Sequence, residues 1–393
     1  MKMGIPLRAA PIISALITIV RATSFDGQYI QPNLTNNAVE WWWGSAVGTP
    51  APANVGTPGP VLQFLFYQGT EIFQAVSQFK SYLPKPTGYP ILADLNHTSL
   101  PEYYIDINGF FGGKDSDFTL TVPASSGEIT EGDGKAITGT WGTVGTFQTS
   151  SDLKTMRVTF NASDITGSIN FISNRGSHFG CNVTDGPFFN AFAPKNRTLN
   201  EAEQVFFDEL GWPVSIPGGI ADVDVTINGT RLAFSGNGYH DQNFMSLALN
   251  EFISSWYFGF AEVGPYTFSY VSATPVNSSI VFNTGYLATD QAVLQNQCSI
   301  NGTKTTDISL IQPKGEMEGP EGTITPSSWI LSYVLDDGSE FEFELKPTGA
   351  NPNLAIYQRW TGSISGGKKG EEIYEGVATF EWLNPGLNPY SPA

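Results

Sequence analysis

Residues 236–244 read Gly-Asn-Gly-Tyr-His-Asp-Gln-Asn-Phe, which sets Tyr239, His240, Asp241 and Asn243 within five positions. The chain holds only three histidines. A His–Asp pair can move a proton, and Tyr and Asn can donate hydrogen bonds to a negative oxygen as it develops. The same residues also suit a glycine-rich turn whose side chains satisfy buried backbone groups. A second group is Glu40-Trp41-Trp42-Trp43-Gly44. Alternate residues of a strand share a face. Trp41 and Trp43 are therefore expected on one side, Glu40 and Trp42 on the other. A carboxylate beside such bulk must be paired or hydrogen-bonded if buried. A third group, Tyr357-Gln358-Arg359-Trp360, places Tyr357 and Arg359 on one face. Inside a barrel Arg359 is a fixed donor for a carbonyl or enolate oxygen; outside, it is an ordinary surface charge. Lys346, after the run 341–345, carries the same two readings.

Other chemistries lack their residues. There is no G-x-S-x-G elbow, and His178 near Cys181 has no Cys-His-Asn context, so that stretch reads as a loop. Gly236 and Gly238 open no helix, so no dinucleotide fingerprint exists, and no P-loop occurs. Without C-x-x-C or a His cluster, no metal site is legible. The formal charge is −18 and becomes −21 once Lys2, Arg8 and Arg21 leave with the expected signal peptide. Such a chain repels phosphate backbones, so nucleic acid is not an expected partner.

These groups need strands to position them. Short β-rich runs recur between turn residues at 61–67, 103–107, 118–122, 156–160, 168–172, 223–227, 231–235, 256–260, 267–272, 279–283, 330–335, 341–345, 355–360 and 377–382. That spacing predicts an all-β fold of sandwiches or barrels. One helix is expected over 200–210, capped by Asn200 with Glu203 three residues on. Asn228-Gly229 signals a hairpin. A domain boundary falls between 212 and 244 and is placed after residue 235. Residues 44–60, rich in Gly, Pro and Ala, read as a mobile loop or lid.

Residues 1–22 read as a secretory signal: a positive start, an apolar run over 9–20 and small residues at Val20 and Ala22. No other segment is long and apolar enough to span a membrane. Eight sequons, at Asn33, Asn96, Asn161, Asn182, Asn196, Asn228, Asn277 and Asn301, fit a secreted or secretory-pathway glycoprotein. His97 lies inside one of them and reads as exposed. Cys181 and Cys298, the only cysteines, either pair across the two halves or stay as buried thiols.

Two motifs converge on one family. Glu40-Trp41-Trp42-Trp43 resembles the E-W-W-[YF] motif of the hydroxyneurosporene-synthase-like superfamily, which includes carotenoid hydratases. Residues 238–244 resemble its G-Y-H-D-H-N-W signature, with Gln242 and Phe244 in place of the usual His and Trp. Arg359-Trp360, Gly366-Gly367, Gly370-Glu371, Tyr374-Glu375-Gly376 and Glu381 are similar to the same group. Length and secreted character look most like the fungal lipocalin-like Diels–Alderases, in the hetero-Diels–Alderase branch.

The resemblance implies a β-sandwich-like domain over 23–235, a lipocalin-like β-barrel over 236–393, and a pocket between them. It implies no cofactor and a small polyketide- or terpenoid-derived substrate. Members close rings: one branch joins a tropolone-derived quinone methide to a humulene-type sesquiterpene, another forms decalins from polyene tetramic acids. Orientation alone can drive such a cycloaddition. Tyr239, His240, Asn243, Lys346 and Arg359 are then the expected donors. Trp43, Tyr67, Trp329, Tyr357 and Trp360 are the expected walls, and Glu40 and Asp241 would orient donors. His240 with Asp241 could also dehydrate a hydroxylated precursor. A terpenoid hydratase or isomerase and a non-catalytic lipocalin-like carrier are the competing readings; Gln242 weakens the first.

Overall fold

The computed structural model describes residues 25–30, 38–49, 59–69, 103–111, 117–184, 186–385 and 388–390. The signal peptide at 1–22, most of the expected lid, His97 and the sequons at Asn33 and Asn96 lie outside these residues.

Apolar–polar alternation broken by Gly, Pro, Asn and Asp dictates strands. The first sheet holds β1 (Val39–Gly48), β2 (Val61–Gly69), β3 (Tyr103–Phe110), β4 (Phe118–Pro123), β5 (Gly127–Glu131), β6 (Ile137–Trp141), β7 (Gly145–Thr149), β8 (Thr155–Asn161), β9 (Ile165–Ser173), β10 (His178–Phe179), β11 (Pro213–Ile216), β12 (Gly219–Ile227) and β13 (Thr230–Met245). Its order is 4-3-2-1-13-12-9-8-7-6-5, with β10 and β11 joined to β13. The second holds β14 (Ile253–Val263), β15 (Tyr266–Pro275), β16 (Phe282–Thr289), β17 (Val293–Ile300), β18 (Ile308–Lys314), β21 (Ser328–Val334), β22 (Glu340–Leu354), β23 (Tyr357–Lys368) and β24 (Tyr374–Leu383), ordered 17-16-15-14-24-23-22-21-18. Met317–Glu318 and Ile324–Thr325, β19 and β20, form a small ribbon.

Among the described residues the fold is all-β apart from two short α-helices, Glu201–Asp208 and Leu249–Phe252, and three single 3-10 turns. The first sheet curls back on itself like a sandwich. Trp141 of β6 packs against Trp42 of β1 at 5.5 Å and Phe66 of β2 at 5.2 Å, although four strands separate β6 from β13 in the sheet. The second sheet is a nearly closed barrel, with its edge strands β17 and β18 brought together. Trp329, Leu331, Phe343 and Trp360 fill its interior. A third apolar cluster, with Trp41, Trp43, Tyr239 and Phe258, lies between the sheets.

Local signals held where the chemistry was specific. The helix runs Glu201–Asp208, and Asn200 and Glu203 form a reciprocal capping box at 2.8 and 2.9 Å. Asn228 and Gly229 take φ of 48° and 80°, the positive values a two-residue hairpin turn needs. Two boundaries differ. Gly44–Gly48 is not loop but the end of β1, paired with β13 throughout and with β2 as far as Val47, because Gly44 lets Phe64 close in where a Cβ would meet it at 2.3 Å. The division placed after residue 235 falls inside β13, whose residues 236–245 pair with β1; the second sheet starts at Ile253.

Cys181 and Cys298 form a disulfide across 117 residues, tying the loop after β10 to β17. Cross-linking so long a loop restricts the unfolded chain. The double variant Cys181→Ala/Cys298→Ala is expected to lose about 2–5 kcal/mol in a urea titration. An unchanged midpoint would show that the link contributes nothing.

Candidate active site

Register builds a cavity from two facing rows. In the first sheet Asp241 of β13 lies opposite Trp43 of β1, Trp43 opposite Leu65 of β2, and Leu65 opposite Asp106 of β3. Directly opposite residues share a face, so a carboxyl stands at each end of an apolar stretch. At about 4.8 Å per strand, the two aspartate backbones are about 14 Å apart. In the second sheet the row is Val271, Phe258, Glu381 and Arg359, on β15, β14, β24 and β23. Beside it run Trp256, Leu383, Tyr357 and Leu354. All these side chains line one cavity of about 130 Å³, together with Trp41, Trp212, Asn108, Thr119 and Asn243.

Arg359 is the buried cation of the site. Its Nε donates to Glu381 Oε2 at 2.8 Å and its Nη1 to Gln63 Oε1 at 3.0 Å, and its Nη2 bonds the Tyr357 hydroxyl. The guanidinium sits 4.8 Å over the Trp43 ring. A guanidinium has five N–H donors, so among the described residues one is left without a partner on each terminal nitrogen. Glu381 also accepts from Tyr357 Oη at 2.7 Å and from Trp256 Nε1 at 3.1 Å. A charge buried this way must be paired, and both members are.

The two aspartates differ in their partners. Asp241 Oδ2 accepts from Trp212 Nε1 at 2.8 Å and Tyr239 Oη at 2.9 Å. Burial pushes its pKa up to about 7 against those bonds. Asp106 accepts from Thr121 Oγ1 at Oδ1 and Asn108 Nδ2 at Oδ2, both at 2.9 Å. Burial raises it to about 6, and these bonds and Arg359 restrain the rise.

Of the residues singled out in the sequence, Trp43, Asp241, Asn243, Tyr357 and Arg359 meet at the cavity. Asn243 Nδ2 donates to the Gln242 carbonyl at 2.8 Å. Tyr239 lies behind the wall, stacked on Phe260 at 4.4 Å, with its hydroxyl on Asp241. Tyr67 stacks on Tyr104 at 4.5 Å, buried beside the cavity but outside its wall. Trp329 and Trp360 pack tilted at 4.7 Å inside the barrel, so they are core, not pocket walls. Lys346 points to solvent and pairs with Glu344 at 2.7 Å. Lys346→Ala is accordingly expected to leave product formation within twofold of the parent, read by chromatography of the reaction mixture.

His240 and Glu40 occupy the opposite face of their strands. Adjacent strand residues point opposite ways, so His240 and Asp241 do not meet as acid–base partners. Instead these even-numbered residues clamp Phe25–Ile30. His240 Nε2 meets Asp26 Oδ2 at 2.9 Å and its Nδ1 meets the Trp43 carbonyl at 2.8 Å. Both ring nitrogens face acceptors, so both carry protons. Burial is the largest influence and opposes that charge, but Asp26, the Trp43 carbonyl and Asp241 together outweigh it and the pKa is raised. Trp42 Nε1 donates to the Asp26 carbonyl at 3.0 Å and Gln242 Nε2 to the Gly27 carbonyl at 2.7 Å. Glu40 accepts from the Tyr29 and Ile30 N–H groups at 2.8 and 3.3 Å, and from Gln68 and Gln242, both at 2.7 Å. Burial still pushes it up to about 8.

Asp106, Asn108, Thr119, Gln63, Trp212, Trp256 and Phe258 were not singled out. The signal for two of them was present: in Tyr-Ile-Asp-Ile-Asn (104–108), Asp and Asn alternate with Ile. That pattern reads as a solvent face, because only the second sheet covers it. Among the described residues no group of three or more His, Cys, Asp or Glu side chains could hold a metal ion.

A family model described as Diels-Alderase-like matches residues 110–320, just over half of the chain. The quinolone epoxide rearrangement protein penF of Penicillium thymicola is 25% identical over 373 residues, covering 93% of this chain and 90% of its own. Diels-Alderase poxQ of Penicillium oxalicum is 22% identical over 247 residues, 61% of this chain and 53% of its own. The crystal structure of CghA with Sch210972 shares the fold, with a TM-score of 0.62 and 14% identity over 92% of this chain and 96% of that one.

Proposed function

Because this chain belongs to the Diels-Alderase-like family, we propose that it is a pericyclase-type enzyme that closes a ring on a small natural-product substrate held between its two sheets. The finer proposal is a stereoselective hetero-Diels–Alder cycloaddition of a quinone-methide heterodiene with a terpenoid alkene. The observation that carries it is Arg359. Glu381, Gln63 and Tyr357 fix this guanidinium in an aromatic-walled cavity, with two N–H donors to spare. A donor on the heterodiene carbonyl lowers the acceptor orbital, and a fixed donor in a dry site is worth about 2.7–4 kcal/mol of barrier. The aromatic walls hold diene and dienophile folded together, which supplies the orientation term. Cycloaddition moves no atom to or from the protein, so the mechanism calls on no cofactor.

A second reading has its own observation. Asp241 is a carboxyl held near pKa 7 in the cavity, suited to protonating an epoxide oxygen. The relative from Penicillium thymicola bears the name of an epoxide rearrangement. Acid-assisted rearrangement of a natural-product epoxide is therefore the alternative.

The deciding experiment incubates the protein with three inputs: a quinone-methide precursor plus humulene-type alkene, a polyene tetramic acid, and a quinolone epoxide. Chiral chromatography follows products. One enriched stereoisomer with the first pair supports the hetero-Diels–Alder proposal. Enrichment with the second substrate moves it to decalin formation, and turnover of the third moves it to epoxide opening. Binding without turnover of any would leave a carrier.

The secretory route is part of the proposal. Asn161, Asn182, Asn196, Asn228, Asn277 and Asn301 are all exposed, as glycan acceptors must be, and the disulfide suits an oxidising compartment. A mass loss with peptide-N-glycosidase on protein from a eukaryotic host tests it; no loss removes the glycoprotein assignment.

A further inference from the structure

Asp106 stands apart from the other buried carboxyl groups in its surroundings. Glu40 and Asp26 are closed in behind the first sheet, where they hold backbone and His240. Asp241 lines the cavity but faces neutral donors. Glu381 lines the cavity at the cationic end but is bonded to Arg359, Tyr357 and Trp256, whereas Asp106 lines the cavity at that end without a bond to the cation. The register shows how. Gln63 of β2 is opposite Asn108, and Leu65 is opposite Asp106. Asp106 is thus the diagonal neighbour of Gln63, about 7–8 Å away backbone to backbone. Gln63 is the residue that accepts Arg359 Nη1. The guanidinium is therefore anchored next to the Asp106 carboxyl without being bonded to it. Each Asp106 oxygen takes one side-chain bond and the Ile107 N–H adds a third, and an ionised carboxylate has about four lone-pair sites. Acceptor capacity remains.

We infer that Asp106 and Arg359 act together as a base and an oxyanion donor, giving this cavity a keto–enol isomerase activity toward apolar ketones and enones. The inference rests on the reading of this cavity as the active site. A carbonyl oxygen takes the free Arg359 N–H groups. Asp106 Oδ removes a proton from the carbon next to the carbonyl, or from the vinylogous position of an enone. The C–H pair becomes the C=C of an enolate, whose oxygen charge is met by the guanidinium. Return of the proton to that oxygen, or to another carbon, gives the enol or the isomerised ketone and regenerates the carboxylate. Composition and oxidation level do not change. For an enone the product is a dienol, which is the electron-rich diene a ring closure consumes. The raised pKa of Asp106 supports the role, since a base of about 6 is matched to proton transfer near neutral pH.

The test is deuterium exchange. The intact protein is incubated in D2O with 2-tetralone, 2-decalone or cyclohex-3-enone, and mass spectrometry follows label at carbon beside the carbonyl, against a buffer blank. Tryptophan fluorescence reports occupancy, since Trp41, Trp43, Trp212 and Trp256 line the cavity. Exchange well above the blank is expected for at least one ketone. Asp106→Asn is expected to lose about 100-fold of it, Asp106→Glu to keep part, and the surface variant Lys346→Ala to match the parent. Circular dichroism checks that each variant folds. Exchange no faster than the blank for all three ketones, with or without quenching, overturns the inference. So does an Asp106→Asn variant that exchanges like the parent. A protein that enriches one cycloadduct stereoisomer but exchanges no ketone keeps the ring-closing proposal and loses this one.

Discussion

Arg359→Met is expected to abolish stereoselective product formation and to lower stability by about 3–5 kcal/mol. The two losses have different causes. Removing the guanidinium strands Glu381 as an unpaired buried charge, with Tyr357 and Trp256 still donating to it. Removing both charges relieves that penalty. Arg359→Met combined with Glu381→Leu is therefore expected to recover about half of the lost stability, because a buried pair replaced by apolar residues is often close to neutral. It should recover no product selectivity, since the donor over Trp43 is still gone. Urea titration reads the first quantity and chiral chromatography the second. A single variant that keeps selectivity within threefold of the parent removes Arg359 from the mechanism.

Stability is expected to fall as pH rises from about 4.5 to 8, opposite to the usual behaviour of paired carboxylates. Burial raises Glu40 to about 8, Asp241 to about 7, Glu262 to about 7 and Asp106 to about 6. The folded chain binds these protons more tightly than the unfolded chain does. Their contribution is complete below the unfolded values near 4 and is lost as pH climbs through the folded ones. Asp26 pushes His240 in the same direction, against its burial. Two groups act the other way. Burial lowers His178 to about 4, so its contribution is present above 6.5 and lost toward 4. Arg197 holds Glu203 down at about 2, a contribution lost only as the pH falls below about 4.5. Four raised carboxyl groups outweigh the one lowered histidine, so the balance is a net loss across the window. The urea midpoint measured at half-unit steps reads it. Glu40→Gln, of nearly the same volume, should flatten the profile most; a profile already flat in the parent would mean that these carboxyl groups ionise freely in the fold.

Much of the fold was legible because strands, caps and hairpins are local. Glu40-Trp-Trp-Trp alternated as expected, with Trp41 and Trp43 in the cluster between the sheets and Trp42 in the core of the first. The motif resemblance agrees with the family match, although that match covers 110–320 and leaves out both the tryptophan run and Arg359. The site was legible only in part, for a physical reason. Alternation tells which residues share a face, not what covers the face. Tyr357 and Arg359 share a face as expected, but that face, read as either lumen or solvent, is neither: it lines the cavity between the sheets. Lys346, one strand away, went to solvent. Asp106 and Asn108 drew no attention because their cover, the row from Val271 to Arg359, comes more than 150 residues later. His240 misled because its neighbour Asp241 is adjacent in sequence and therefore opposite in space.

That alternation separates two kinds of evolutionary freedom along β1 and β13. Residues 41, 43, 241 and 243 line the cavity between the sheets; residues 40, 42, 240, 242 and 244 hold the amino-terminal segment and the core. Drift in the first set reshapes the cavity, and at Trp41 and Trp43 it also costs packing between the sheets; drift in the second threatens the core of the first sheet while leaving the cavity lining as it was. A directed-evolution library confined to every second codon of two neighbouring strands would therefore search the cavity while leaving the core of the first sheet alone.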